Sequence, residues 1–246
     1  MYADYSIIIP AYNEEAELPA TLKAIRTAVT LQKLKGECIV VDNNSTDKTA
    51  EVARKAGADK IVFEPDNQIS RARNAGANVS QGRYLIFVDA DTRIDPTLLN
   101  EALSLLESGS CVGGGAVINF EDIAGIVGNV AITVWGKISQ WTRTAAGSFL
   151  FCRRDAFEEI GGFDLKLYAS EEVRLSRQLR QWGKLRGLHF EIINRVAART
   201  SARKLKWYSP ARILGGLFLL PFIPIIVRFR ILCGFWYRRP DTDSNK

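Results

Sequence analysis

Four short apolar runs, Ser6–Ile9, Cys38–Val41, Lys60–Phe63 and Leu85–Val88, are separated by stretches of helical periodicity, and this alternation constrains the fold more than any other feature of the chain. The runs are too short for helices and too continuously apolar for half-exposed strands, so they read as strands buried on both faces. After the first, with Pro10 as its expected stop, Leu18, Leu22, Ile25 and Val29 fall on one helical face. Asn13 is the expected N-cap of that helix, and Glu14 and Glu15 suit its positive end. Helices are likewise expected over Lys48–Ala56, ended by Gly57, over Ile69–Val79, and from Asp95-Pro96 through Leu98, Leu99, Ala102 and Leu106. Strands separated by helices imply an α/β chain with a Rossmann-like, mainly parallel sheet covered by helices on both faces.

In such a sheet all strand carboxyl ends share one edge, and ligands bind there because its loops can carry polar groups that the core cannot. Glu14 follows the first strand, Asp42 the second, and Asp89 and Asp91 the fourth, on either side of Ala90. Adjacent strands lie roughly 5 Å apart, so a pocket across three of them is about the size of a nucleotide. Two carboxylates in the pattern Asp-Ala-Asp can hold one hard cation. Taken alone, the same pair can equally cap the turn into the helix after Pro96.

Beyond residue 110 the pattern is less regular. Strands are expected over Cys111–Ile118 and Phe149–Cys152, and a helix carrying Leu175, Leu179 and Trp182 after Ser170. Between the strands, Ile123, Ile126, Val127, Val130, Val134, Ile138 and Trp141 keep helical spacing, which fits a core face or an acceptor-facing wall. The 246 residues suit one domain over 1–206, followed by an apolar and basic helical tail over 207–246. The four cysteines lack a C-x-x-C spacing and are expected to be buried thiols, which points to a reducing, cytoplasmic setting. The opening residues have no basic region before an apolar stretch, so no secretory leader is expected.

The formal charge of +6 is an uneven average, because residues 195–246 hold eleven Arg and Lys against Asp241 and Asp243 while the rest is net acidic. A nucleic-acid binder would spread its cations over the domain, whereas here they flank an apolar stretch, so no nucleic-acid partner is expected. Ile213–Val227, broken by glycines and prolines, is shorter than the roughly twenty residues of a spanning helix. The expected partner of 212–239 is therefore a membrane surface, the protein lying peripherally on the cytoplasmic face. Packing on the domain or on a second subunit, as in a homodimer, is the alternative.

The segments SIIIPAYNEE, IVVDNNSTDKT, ISRARNAGANVSQGRYLIFVDAD and GSFLFCRRDAFEEIGGFD, with SEEVRLSRQL beyond, resemble glycosyltransferase family 2 and its GT-A nucleotide-sugar fold over residues 4 to 190. The resemblance implies that Pro10, Ala11, Tyr12 and Glu14 contact the nucleoside of a nucleotide-sugar donor and that Asp42 accepts a hydrogen bond from the base. It implies a nucleotide-binding half over 1–110 and an acceptor half over 111–206, with nucleotide contacts for Arg71, Asn74, Asp89 and Ala90, and with Arg73 on the same helix. Asp91 and Asp89 correspond to the metal motif, for Mg2+ or Mn2+ at the leaving diphosphate, and His189, the only histidine, is a candidate further ligand. Glu171-Glu172 stands where the family has a Glu-Asp pair, making Glu172 the candidate base and putting a longer side chain at the usual Asp position. Thr200, Ser201, Arg203 and Lys204 read as a polar loop able to clamp a diphosphate. The implied activity is a metal-dependent, inverting sugar transfer to a lipid-linked or other membrane-proximal glycan acceptor. A nucleotidyltransferase is disfavoured because Pro10-Ala11-Tyr12-Asn13 is not a glycine-rich phosphate loop. A non-catalytic nucleotide-sugar-binding protein would have no use for Glu171-Glu172.

Overall fold

Strand β1 (Tyr5–Ala11) is buried at all seven positions and lies between two parallel neighbours, β2 (Gly36–Asp42) and β4 (Tyr84–Val88). The structure, a computed structural model, describes residues 3–121, 147–203, 227–229 and 233. The expected stripe from Ile123 to Trp141 and most of the tail lie outside the described residues, and no helix among the described residues is long and apolar enough to cross a membrane.

Eight strands form one sheet in the order β3-β2-β1-β4-β7-β6-β8-β5. With β3 (Lys60–Phe63), the first four strands are all parallel. The second half is mixed: β7 (Phe149–Arg153) runs antiparallel to β4 and to β6 (Cys111–Glu121), while β8 (His189–Ser201) runs parallel to β6 and antiparallel to the short β5 (Thr92–Arg93). Because β4 pairs directly with β7, one sheet runs through both expected halves of the domain.

Pro10 does not end β1. Ala11 accepts the amide of Asn43 on the β2 side, so the missing N–H of Pro10 faces the β4 side, where pairing has already ended at Ile8 opposite Phe87. A proline is tolerated there because no ladder bond is lost.

Helices α1 (Leu18–Thr30) and α4 (Pro96–Glu107) bury Leu18, Leu22, Ile25, Leu98 and Leu99 against Ile7, Ile9 and Ile86 on one face. Helices α3 (Ile69–Val79), α5 (Arg154–Glu159) and α6 (Glu171–Lys184) bury Ala72, Phe157, Leu175 and Leu179 against Ile8 and Phe87 on the other. Helix α2 (Thr49–Lys55) buries Ala53 in the same cluster as Leu18, Leu22 and Ile25. Helix α4 starts at Asp95-Pro96 as expected, and Asp95 caps it by accepting from the amide of Thr97. Asn13 caps nothing: it sits at φ 51, and its Oδ1 accepts from the amide of Thr46, tying the turn after β1 to the turn after β2.

At Gly76 helix α3 comes so close to the sheet that a Cβ would lie 2.4 Å from Ile8 Cγ2 and 2.9 Å from Val41 Cγ2. Replacing Gly76 with alanine is expected to destabilise the fold by about 1–3 kcal/mol through overpacking, read as a lower urea midpoint at unchanged slope.

Candidate active site

Register puts the acidic positions side by side. Ala11 lies opposite Asp42 at the ends of β1 and β2, and β4 ends at Val88, immediately before Asp89. Pro10 and Ala11 are buried and Tyr12 is half-buried. Asp42 is 8% exposed and turns one oxygen back to accept the amide of Ser45. Glu14 is buried as well. Its amide donates to Thr49 Oγ1, and its carboxylate accepts from the Arg203 guanidinium at 2.7 Å.

Asp91 is 3% exposed, and the end of β8 stands beside it. The Ser201 amide donates to the Asp91 carbonyl, and Thr200 Oγ1 lies 3.4 Å from Asp91 Oδ1. Thr200 and Ser201 are therefore strand residues walling the site and not part of a loop, while Lys204 lies outside the described residues. Ala90, also buried, is held through its carbonyl by Thr21 Oγ1 at 2.8 Å.

The centre of the arrangement is Arg73. This side chain, only 2% exposed, donates from Nη1 to Glu171 at 2.6 Å and from Nη2 to Asp89 and to the Gly147 carbonyl, both at 2.9 Å. Its guanidinium lies 5.1 Å from the centre of the Phe163 ring, and its Nε has no hydrogen-bond partner among the described residues. Burial works against its charge, but Asp89, Glu171 and Glu172 hold the guanidinium above its usual pKa. One cation thus joins the metal-type motif after β4 to the carboxylate pair that opens α6.

Arg71, two residues earlier, does not share this position. Its side chain is 40% exposed and pairs with Asp66 at 3.4 Å. The buried face of α3 is Ser70, Ala72, Arg73, Gly76 and Ala77. Helical phase therefore separates the two arginines, and periodicity alone could have identified Arg73 as the inward one. Asn74 acts on the Gly161-Gly162-Phe163 turn, accepting from the Phe163 amide and donating to its carbonyl.

Ser170, at φ 60, turns the chain into α6, whose first residues are Glu171, 3% exposed, and Glu172, partly buried with Gly147 against it. Burial first, and then the charge of Glu171, push the Glu172 carboxyl up to about 8, while Arg73 pulls it back. A carboxylate tuned toward neutral pH suits proton transfer.

His189 is not a metal ligand in this arrangement. It is exposed and begins β8 opposite Cys111, while Ser201 ends that thirteen-residue strand beside Asp91. At about 3.3 Å per residue the two ends are roughly 40 Å apart. No cluster of three or more His, Cys, Asp or Glu side chains suited to a metal exists among the described residues. The oxygen donors of Asp91 and Asp89 fit Mg2+ or Mn2+, which take one or two carboxylates and complete the shell with substrate phosphates and water. Asp89 is committed to Arg73, which leaves Asp91 as the better direct ligand. All four cysteines are buried thiols, as expected.

The family model described as glycosyl transferase family 2 matches residues 6–161. The chain is 30% identical over 216 residues to the glycosyltransferase AglE of Haloferax volcanii, which covers 82% of this chain and 69% of AglE. Among solved structures, S. aureus TarS 1-349 in complex with UDP-GlcNAc superposes with a TM-score of 0.64 at 18% identity over 82% of this chain. The mannosyltransferase PcManGT from Pyrobaculum calidifontis, in complex with GDP-Man and Mn2+, does so with a TM-score of 0.62 at 17% identity over 81%. The matches span 58% and 57% of those two chains, so the present chain is shorter than either. At such identities the likeness concerns the fold.

Proposed function

The chain belongs to glycosyl transferase family 2 and is a glycosyltransferase of GT-A architecture; from that premise we propose that it is a metal-dependent, inverting enzyme. It moves a sugar from a nucleotide diphosphate donor to a hydroxyl of a lipid-linked or other membrane-proximal acceptor. The observation that carries this reading is the Arg73 bridge, which joins Asp89 to Glu171 and so sets a donor-side acid motif and a separate carboxylate pair in one site.

In this reading the turn after β1 and Asp42 receive the nucleoside, the buried Asp42 carboxylate rejecting bases that lack a matching N–H. Asp91, with Asp89 behind it, would hold Mg2+ or Mn2+, which neutralises charge growing on the leaving diphosphate when bound. Arg203, now paired with Glu14, stands where a phosphate oxygen could compete for its guanidinium. Glu172 takes the proton from the acceptor hydroxyl as that oxygen attacks the anomeric carbon opposite the leaving group. Support for donor and metal comes from the bound GDP-Man and Mn2+ of PcManGT and the bound UDP-GlcNAc of TarS.

Titrating UDP-, GDP- and dTDP-sugars with and without Mn2+ tests the donor half of the proposal. Metal-dependent binding to at least one is expected, and Asp91→Asn should weaken it by about 10-fold or more. Metal-independent binding that Asp91→Asn leaves unchanged would sink it. For the acceptor side, the basic and apolar residues 212–239 favour a cytoplasmic membrane surface. Removing residues 212–246 should release the protein from anionic vesicles in a flotation assay; retention would refute that role.

A further inference from the structure

The Gly161-Gly162-Phe163-Asp164 turn helps line a cavity of about 750 Å3 whose only residue from the donor reading is Asn74, a side chain committed to the Phe163 backbone. Its size falls within the range of small-ligand sites. Three cations line it: Lys166 on the loop, Arg174 on α6 and Arg228 from the C-terminal segment. Asp164 opposes them but is already paired with Arg174 at 3.0 Å, and neither Lys166 nor Arg228 has a carboxylate partner among the described residues. Tyr168 and Phe229 add aromatic surface, the latter 56% exposed.

The wall carrying Arg228 and Phe229 is held in place. The Tyr168 amide donates to the Val227 carbonyl at 2.7 Å, and Leu167, Ala169, Val227 and Cys233 form a buried cluster separate from the two main cores. The loop itself is anchored by Gln68, whose Nε2 donates to the carbonyls of Leu165 and Leu167 at 2.8 and 2.9 Å. With Asp164 set against Arg174, Lys166 and Arg228 leave the lining net positive, and a multiply charged anion would balance that charge. Lysine and arginine together suit phosphate, and the flanking rings suit an apolar group attached to it.

We propose that this cavity is a second ligand site, distinct from the donor edge, that takes a phosphate group borne by an amphipathic molecule and is completed by the docked segment at Val227–Phe229. The proposal does not rest on the donor reading. Its occupant would touch the loop that runs through Ser170 into Glu171 and Glu172.

The test uses the full chain in chelator-treated buffer, so that no cation serves the donor edge. Calorimetric titration with soluble dihexanoyl phosphatidate is expected to give saturable binding. The Lys166→Glu/Arg228→Glu double variant should weaken it by about 10-fold or more, whereas Lys166→Arg/Arg228→Lys retains it. Asp91→Asn should leave it within about twofold, because that residue belongs to the other site. A parallel titration with inorganic phosphate separates the sources: binding of the phosphatidate at least about 10-fold tighter supports an amphipathic phosphate, whereas equal affinity assigns a free phosphate and overturns the proposal. Absence of binding to either probe, binding that survives the double charge reversal in a variant of unchanged melting temperature, or loss of binding in Asp91→Asn would each overturn the proposal.

Discussion

Replacing Glu172 with glutamine is expected to lower turnover by about 10²- to 10⁴-fold, the usual contribution of a positioned general base, with donor affinity nearly unchanged. The same substitution should stabilise the metal-free protein at alkaline pH. Burial and Glu171 raise the folded-state carboxyl to about 8, from an ordinary value near 4.5. The folded state therefore prefers the protonated acid. That preference is fully present below the unfolded pKa and is lost as pH rises through the folded one, so the penalty for keeping Glu172 grows between roughly pH 4.5 and pH 8. Glutamine carries no such penalty. Its advantage should be absent at pH 4 and reach the order of 5 kcal/mol by pH 9, or roughly 10–20 °C in melting temperature. Turnover of the native enzyme should correspondingly rise with pH along a limb above the ordinary carboxylate range. Melting curves across pH for both proteins, with single-turnover rates, check this. A Glu172→Gln enzyme that keeps full turnover would remove Glu172 as the base and favour an acceptor that is already ionised.

Arg73→Gln is expected to be the most destabilising single change in the site, costing roughly 3–5 kcal/mol, because it strands the buried Glu171 and leaves Asp89 without its cation. The buried ion pair is not itself the source of that cost; the uncompensated charge is. The double variant Arg73→Met/Glu171→Met should therefore recover much of the loss in a urea titration. Turnover should stay depressed by about 10²-fold or more in both variants, since the link between the Asp89 motif and the start of α6 is gone in each. If the double variant unfolds as readily as the single one, or if Arg73→Gln melts like the native protein, the bridge is not what holds these two loops in register.

Much of this arrangement was legible in the chain. Ile69–Val79 and Lys60–Phe63 have the expected bounds, and a helix does start at Asp95-Pro96, because these depend on local periodicity and turn chemistry. The assembly of Glu14, Asp42, Asp89 and Asp91 along one edge followed from parallel strands ending in acids. What failed to follow was long-range. Asn13 looks like a cap locally, yet it serves a turn thirty-three residues away. His189 looks like a ligand in a list of residue types, yet strand length carries it to the opposite end of the sheet. Arg71 and Arg73 differ in sequence only by position, and the phase of α3 against the sheet decides which one enters the site.

The sequence by itself determined the sheet, its helix-covered faces and the edge where chemistry must occur, because continuous apolar runs can only be buried strands and their acids can only emerge where those strands end. Tertiary structure alone decided that Arg73 joins Asp89 to Glu171, that the end of β8 walls Asp91, and that Val227–Phe229 returns to the loop before α6. Apart from Arg73–Asp89, sixteen positions apart, these contacts join residues about 60 to 110 positions apart, and no local preference encodes them. They arise from how the packed layers bring distant segments to one edge, where a buried charge must find its partner wherever the fold supplies one.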